Sequence, residues 1–212
     1  MSTMNAIRAR HSVRSYEHKP VPAEIRARVQ EAVDQANRDG GLHIQVIWDE
    51  PVVFAGKVKG AENCIALVGR KGDDERLGYY GARILLEIQE LGLNSVWVAM
   101  SFNKKEAEKR CELAEGESVV NAIAFGYGTT EGKPHVSKPL DKHYTATGEV
   151  PDWFRAGMEA AMLAPTAINQ QKFVFSLDGD TVTAKAKLGP WSKVDLGIVK
   201  YFFEVGSGHK VA

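Results

Sequence analysis

The sequence has little that would mark it for a metal, a membrane or a nucleic acid. Its 212 residues hold only two cysteines, Cys64 and Cys111. They lie well apart and neither has a partner at metal-ligand spacing, which speaks against a disulfide framework and for a reduced, cytoplasmic setting. No apolar run approaches the roughly 18 residues of a membrane span, and no charged and then apolar leader opens the chain. A soluble, intracellular protein is therefore expected, with no membrane partner. Lys+Arg and Asp+Glu both total 27, so no global field draws in nucleic acid and any anion site must be local. The rest is ordinary for a globular chain, with 44% hydrophobic and 25% charged residues and enough length to bury roughly 70 per cent of its unfolded surface.

The hydrophobic periodicity predicts alternating helices and strands. Helices are expected over residues 3–9, from Pro22 to the stop "RDGG", over 76–91 with Gly92 as its end, over 104–113 behind a Ser101 or Asn103 cap, over 152–163 and from about 194 to 205. Strands are expected at "LHIQVIW", "CIALVG", "SVWVAM" and "VVNAIAFGYG", then as a hairpin at 172–177 and 181–187 around Asp178-Gly179-Asp180. Residues 129–151 carry little periodicity and read as a long surface excursion. Hairpin and helix-separated strands together predict an α+β fold with a mixed or antiparallel sheet flanked by helices. One domain over 1–212 is expected, with lobes at 1–128 and 150–212 joined by the long loop. Gly78 and Gly81 fit no phosphate-loop or dinucleotide pattern and read as sites of tight helix packing.

A faint internal echo runs through the chain. "PAEIRARVQEAVDQAN…LHIQVIWDE" and "PDWFRAGMEAAMLA…QKFVFSLDG" both run proline, helix, joint, alternating strand and acidic turn. Only the broad pattern matches, and chance explains it as well as two related halves do. The joints differ: the first is "NRDGG", the second "APTAINQQ".

Two short segments carry candidate chemistry. "RARHSVRSY" places Arg10, His11, Ser12 and Arg14 within five positions. On an extended segment Arg10, Ser12 and Arg14 share one face, and two guanidinium forks around a hydroxyl would receive a phosphate or another anion. Spacing alone fits a solvated basic surface more simply. In "APTAINQQ", small residues and a proline let backbone approach a flat ring, while Asn169 and Gln171 can each donate and accept, as the C=O, N–H, C=O edge of a flavin requires. A helix stop followed by a polar turn is the competing reading.

Together these segments resemble the FMN-dependent nitroreductase superfamily. "AIRARHSVRSYEHKPV" looks like its opening Arg-Ser-Arg signature and "AAMLAPTAINQQKFVF" like its Pro-Ser-x-x-Asn-x-Gln signature. "ELGLNSVWVAM" resembles its Gly-Leu-Gly-x-x-Trp strand and "VNAIAFGYG" its late strand ending in Gly-Tyr. The order departs from the usual layout, because the amide motif lies some 150 residues after the place it usually takes. The chain in this respect resembles the rearranged, thermophile-derived TM nitroreductase branch. The resemblance implies that Arg10 and Ser12 bind the FMN phosphate, that Arg14 approaches the N1/C2=O end of the ring, and that His11 contributes backbone contacts. It implies ring contacts from Pro165, Thr166, Ala167, Asn169 and Gln171, and backbone contacts to flavin N5 and O4 near Ala99 and Met100, although the usual Glu-Gly is absent there. Lys138 aligns loosely with a late phosphate-binding basic residue, and a surface lysine is the simpler reading.

The implied function is that of an FMN-dependent oxidoreductase. It would take hydride from NADH or NADPH and reduce a flat electrophile, such as a nitroaromatic or a quinone, in a ping-pong cycle. No side chain is expected as a catalytic acid, base or nucleophile, since the flavin carries the chemistry. The alternative is a protein that stores or senses FMN without turnover, and a third reading is an anion-binding module using the basic segment alone. The displaced motif leaves two assemblies open, a pseudo-dimer of two related halves in a monomer and a homodimer.

Overall fold

The computed structural model describes residues 2–54 and 58–212, so residues 1 and 55–57 of the expected 1–212 span lie outside it. Two sheets and six α-helices make up the described fold. The first sheet is antiparallel, with β1 (Gln45–Ile47), β2 (Asn63–Gly69), β4 (Ser118–Gly126) and β3 (Asn94–Val98) in the spatial order β1-β2-β4-β3. The second has β5 (Tyr144–Thr147) parallel to β6 (Phe173–Asp178), which pairs antiparallel with β7 (Thr181–Ala186).

Every residue of β2 is buried, because β2 lies between neighbours and is covered on both faces. Ile65 and Leu67 point into a large cluster that also holds Ala6, Ile123, Phe154, Phe175 and Phe203. Cys64, Ala66 and Val68 point the other way, into a smaller cluster with Val13, Tyr16, Val53 and Val98. The larger cluster thus joins residues from both expected lobes.

The helices are α1 (Thr3–Ala9), α2 (Ala23–Gly40), α3 (Asp74–Glu90), α4 (Lys104–Glu108), α5 (Asp152–Ala161) and α6 (Ser192–Ser207). Helices α3 and α6 cross at glycines, as expected for Gly78. A Cβ on Gly78 would collide with the Val194 carbonyl, and one on Gly197 with the Glu75 carbonyl. This close approach fixes the first turn of α6, and that turn forms one wall of the cavity described below.

The expected α+β architecture is present, with three local differences. The strand expected at 42–48 pairs only over Gln45–Ile47, and the helix expected over 104–113 ends at Glu108. The loop expected over 129–151 contains β5, a short strand of which only Tyr144 is not exposed; with so little apolar surface it gave no period to read. The two halves also differ in topology. β1 is the edge of an antiparallel sheet, whereas β6 is the middle of a mixed one.

Candidate functional site

The site is a cavity of about 710 Å3 beside the β3 edge of the first sheet, within the roughly 300–1,000 Å3 range of small-molecule sites. Its walls come from both ends of the chain. After α1 the chain runs extended along β3: Ser12 bridges Ser95, and the Val13 N–H donates to Ser95 O at 3.1 Å. Tyr16 anchors this run, its hydroxyl donating to Val13 O at 2.8 Å and reaching Ala124 O at 3.2 Å. Each residue from Arg10 to Ser15 touches the cavity, so the segment lies along the wall instead of presenting one alternating face.

Arg10 is the outstanding group on this wall. It is 3% exposed, and its Nε and Nη1 find no partner among the described residues. Burial, reinforced by the charge of Arg14, lowers its guanidinium to about 10. A buried, unpaired guanidinium is costly unless something else completes its bonds. Arg14 is exposed at the same wall, its Nη1 donating to Ser12 O at 3.3 Å. The His11 ring meets Glu131 O through Nδ1 at 3.0 Å. Lys133 and His135 also line the cavity, and burial first, then the charges of Arg10 and His11, lower the His135 imidazole below its usual value. Asp195 is the one carboxylate among the described lining residues. A chain with no net charge therefore presents a strongly cationic site.

The opposite wall is the joint between α5 and β6, where Pro165 through Asn169 line the cavity. Its backbone is unusual, because Ile168, Asn169 and Gln171 all have positive φ, at 47°, 54° and 47°. Local bonds hold this shape. Thr166 Oγ1 accepts the Gln171 N–H at 3.0 Å, and Asp195 Oδ1 accepts the Ala167 N–H at 3.0 Å. Gln170 Nε2 donates to Asp195 Oδ2 and to Pro190 O, both at 2.7 Å.

The sequence-predicted residues are therefore mostly brought together. Arg10, His11, Ser12, Arg14, Ala99, Met100, Pro165, Thr166, Ala167 and Asn169 share one cavity. Ala99 and Met100 follow directly on the end of β3 at Val98. Gln171 and Lys138 do not line it, and here the expectation is corrected. Gln171 is 3% exposed and works within the protein, donating through Nε2 to Val136 O at 3.0 Å and to Asn169 Oδ1 at 2.8 Å and accepting the Lys138 N–H at 2.8 Å. The Lys138 ammonium donates to Gln170 O at 2.7 Å. Both residues brace the joint from behind.

Sequence reasoning missed Asn121, Trp191 and Asp195. Asn121 had a visible signal, a lone amide inside the apolar run "VVNAIAF". Asp195 had only a weak one, since an acidic residue in the first turn of a helix is common. Burial raises its carboxyl to about 6 against the hydrogen bonds from Gln170 and Ala167, which pull the other way.

The fold has parallels among solved structures. A solved structure from Thermotoga maritima, described as a putative nitroreductase, superposes with a TM-score of 0.68 at 19% identity, covering 97% of this chain and 83% of that one. A nitroreductase-like protein of Desulfovibrio desulfuricans, solved in complex with FMN, gives 0.54 at 22% identity over 67% of this chain and 94% of that one. A Parabacteroides distasonis protein described as an NADH dehydrogenase/NAD(P)H nitroreductase gives 0.53 at 22% identity over 66% and 95%. The fold is thus of nitroreductase type. Residues 2–207 match the family described as "Putative TM nitroreductase", and the chain belongs to that family. No curated protein matches the sequence.

Proposed function

We propose that the cavity binds FMN and that the protein is an FMN-dependent oxidoreductase, using NADH or NADPH to reduce a flat electrophile. One observation carries the reading: the buried Arg10 guanidinium, with two nitrogens unpartnered, at the wall of a cavity lined from both ends of the chain. Such a group calls for an anion, and a phosphate offers the geometry its fork completes. The FMN complex of the Desulfovibrio desulfuricans relative supports the choice of flavin.

In this reading Arg10 and Ser12 hold the phosphate. Arg14 lies toward the pyrimidine end, where a cation favours the negative charge of the reduced ring. Pro165 to Asn169 form the surface against which the ring lies, with Ala99 and Met100 at its edge. The bound flavin would supply hydride acceptance and delivery. The exposed side chains of Met100, Val136 and Ile168 give the mouth an apolar rim suited to flat substrates.

Titration of the purified protein with FMN, followed by anaerobic NADH and, separately, NADPH, tests the proposal. Yellow colour that bleaches on either donor supports it; colour that persists with both makes the protein an FMN binder without turnover, and no uptake of FMN overturns both. Arg10→Ala should weaken FMN binding by about 1.5 to 3 kcal/mol, the value of a hydrogen bond to a charged group. Its apo form should lose no stability, because an unpaired buried charge has been removed.

A further inference from the structure

The four-stranded sheet buries two asparagines, and the described residues satisfy only one of them. Asn63, on β2, is 5% exposed; its Oδ1 accepts the Asp49 N–H at 3.3 Å and its Nδ2 donates to Phe125 O at 3.4 Å. Asn121, on β4, is 1% exposed, and neither its Nδ2 nor its Oδ1 has a partner among the described residues.

The position of Asn121 gives that difference a direction. Leu67 on β2 pairs with Asn121 and the next residue, Val68, with Val119, so the ladder bulges at Val120. On the other side the β3–β4 ladder ends with Val98 opposite Ala122, which brings Asn121 alongside Ala99, and both residues line the cavity. A bulge re-aims side chains at the end of a strand pairing. An apolar residue here would continue the "VVNAIAF" run without the desolvation that an unpartnered amide incurs.

The other side-chain amide on the cavity wall is already occupied. Asn169 donates through Nδ2 to Val136 O at 2.8 Å and accepts Gln171 Nε2 through Oδ1 at 2.8 Å. A carboxamide sets an acceptor beside two donors, the complement of a C=O next to an N–H. We infer that Asn121 is a ligand-reading residue, whose carboxamide binds the amide or imide edge of a planar heterocycle held in the cavity. The inference rests on the flavin reading and deepens it, since it assigns to β4 the edge recognition that the amides of the joint do not provide. The same chemistry is offered by the pyrimidine edge of a flavin and by the carboxamide of a nicotinamide.

Asn121→Leu and Asn121→Ala, the second adding no bulk, test it through three measurements. These are the melting temperature of the apo protein, the dissociation constant for FMN, and the NADH or NADPH concentration at which bleaching of bound flavin is half as fast as at saturation. For the flavin edge, both variants should melt no lower than wild type, allowing for the small space Ala leaves, and bind FMN roughly 5- to 100-fold more weakly. For the nicotinamide edge, FMN binding should be unchanged while the half-saturating NADH or NADPH concentration rises by a similar factor. Variants that match wild type in both affinities overturn the inference and leave the flavin reading standing. A large fall in apo melting temperature in both variants, with affinities unchanged in the folded fraction, makes Asn121 structural and also overturns it. Wild-type protein that takes up no FMN overturns the flavin reading, and this inference with it.

Discussion

Two of the joints at which the chain turns from a helix into a strand, α2 to β1 and α5 to β6, are built in different ways. Between α2 and β1 the turn is made by Gly41 at φ 58°, where glycine meets no steric penalty. A single amide finishes it: Asn37 donates through Nδ2 to Ile44 O at 2.8 Å and accepts the Ile44 N–H at 2.7 Å. Between α5 and β6 the left-handed positions are Ile168, Asn169 and Gln171. Non-glycine residues in that region cost of order 1–3 kcal/mol each unless their surroundings enforce it, and a β-branched one is a true outlier. Gln170, Gln171, Thr166, Lys138 and Asp195 supply the enforcement. The first joint only connects; the second is strained, braced and forms a wall of the cavity.

The brace depends on α6, so the largest effect should come from displacing that helix. Gly197→Ala drives a methyl into the Glu75 carbonyl, a backbone atom that cannot swing aside. A loss of about 3 kcal/mol in urea unfolding is expected, at the upper end for overpacking. The shift moves Asp195 away from Ala167 and Gln170, so FMN binding should weaken as well. A change confined to the first joint, such as Asn37→Ala, should lower stability without touching FMN affinity. Equal losses of affinity in the two variants would erase the distinction between the joints.

The comparison also shows what a sequence discloses. The first joint was readable, because "RDGG" names its own mechanism: glycine ends helices for a local steric reason. The α+β class, the strands β2, β3, β4, β6 and β7, and the tight packing of Gly78 were legible for the same kind of reason, since periodicity and missing side chains act locally. The second joint was conspicuous, but its amides do another job. Gln171 was expected at the ring edge and instead holds Val136, Asn169 and Lys138, contacts up to 35 positions away in the chain. Asp195 and Asn121 acquire meaning only through tertiary burial, which no window of neighbouring residues records. Arg10 lay between these cases: its spacing was visible, but its burial was not.

A pH series sharpens the comparison further, because only the second joint rests on a buried carboxyl. Asp195 is raised from 3.8 to about 6, with burial the leading cause. A raised acid holds its proton longer in the folded state, so its contribution is most favourable below pH 4 and is lost as the pH climbs to about 6. The expected fall is roughly 2 kcal/mol, somewhat less than the full shift implies. Asp39, Asp49, Asp73 and Glu117 are all lowered by their partners and pull in the opposite sense at lower pH. The difference between wild type and Asp195→Asn isolates the one group: it should change with pH between 4 and 6 and be flat above 7. A flat difference throughout would mean that Asp195 is not desolvated in the folded protein.

The smallest effect comes from exchanging the two solutions. Gly41→Ala places a side chain at φ 58° in the relaxed joint and should cost about 1 kcal/mol. Ile168→Gly does the reverse. Ile168 is 81% exposed, so little packing is lost; the left-handed strain disappears, and the greater freedom of glycine in the unfolded chain offsets part of the gain. A net stabilisation of up to about 1 kcal/mol is expected. In FMN binding the two variants should part company. Gly41→Ala lies outside the cavity and should leave affinity unchanged, whereas Ile168→Gly loosens a wall whose shape is set before the ligand arrives and should weaken binding a few-fold despite the more stable fold. Stability and affinity moving in opposite directions at Ile168, and not at Gly41, would show that the strain serves the site. A glycine at 168 that raised stability and left binding untouched would show that the second joint, for all its bracing, is only a connection.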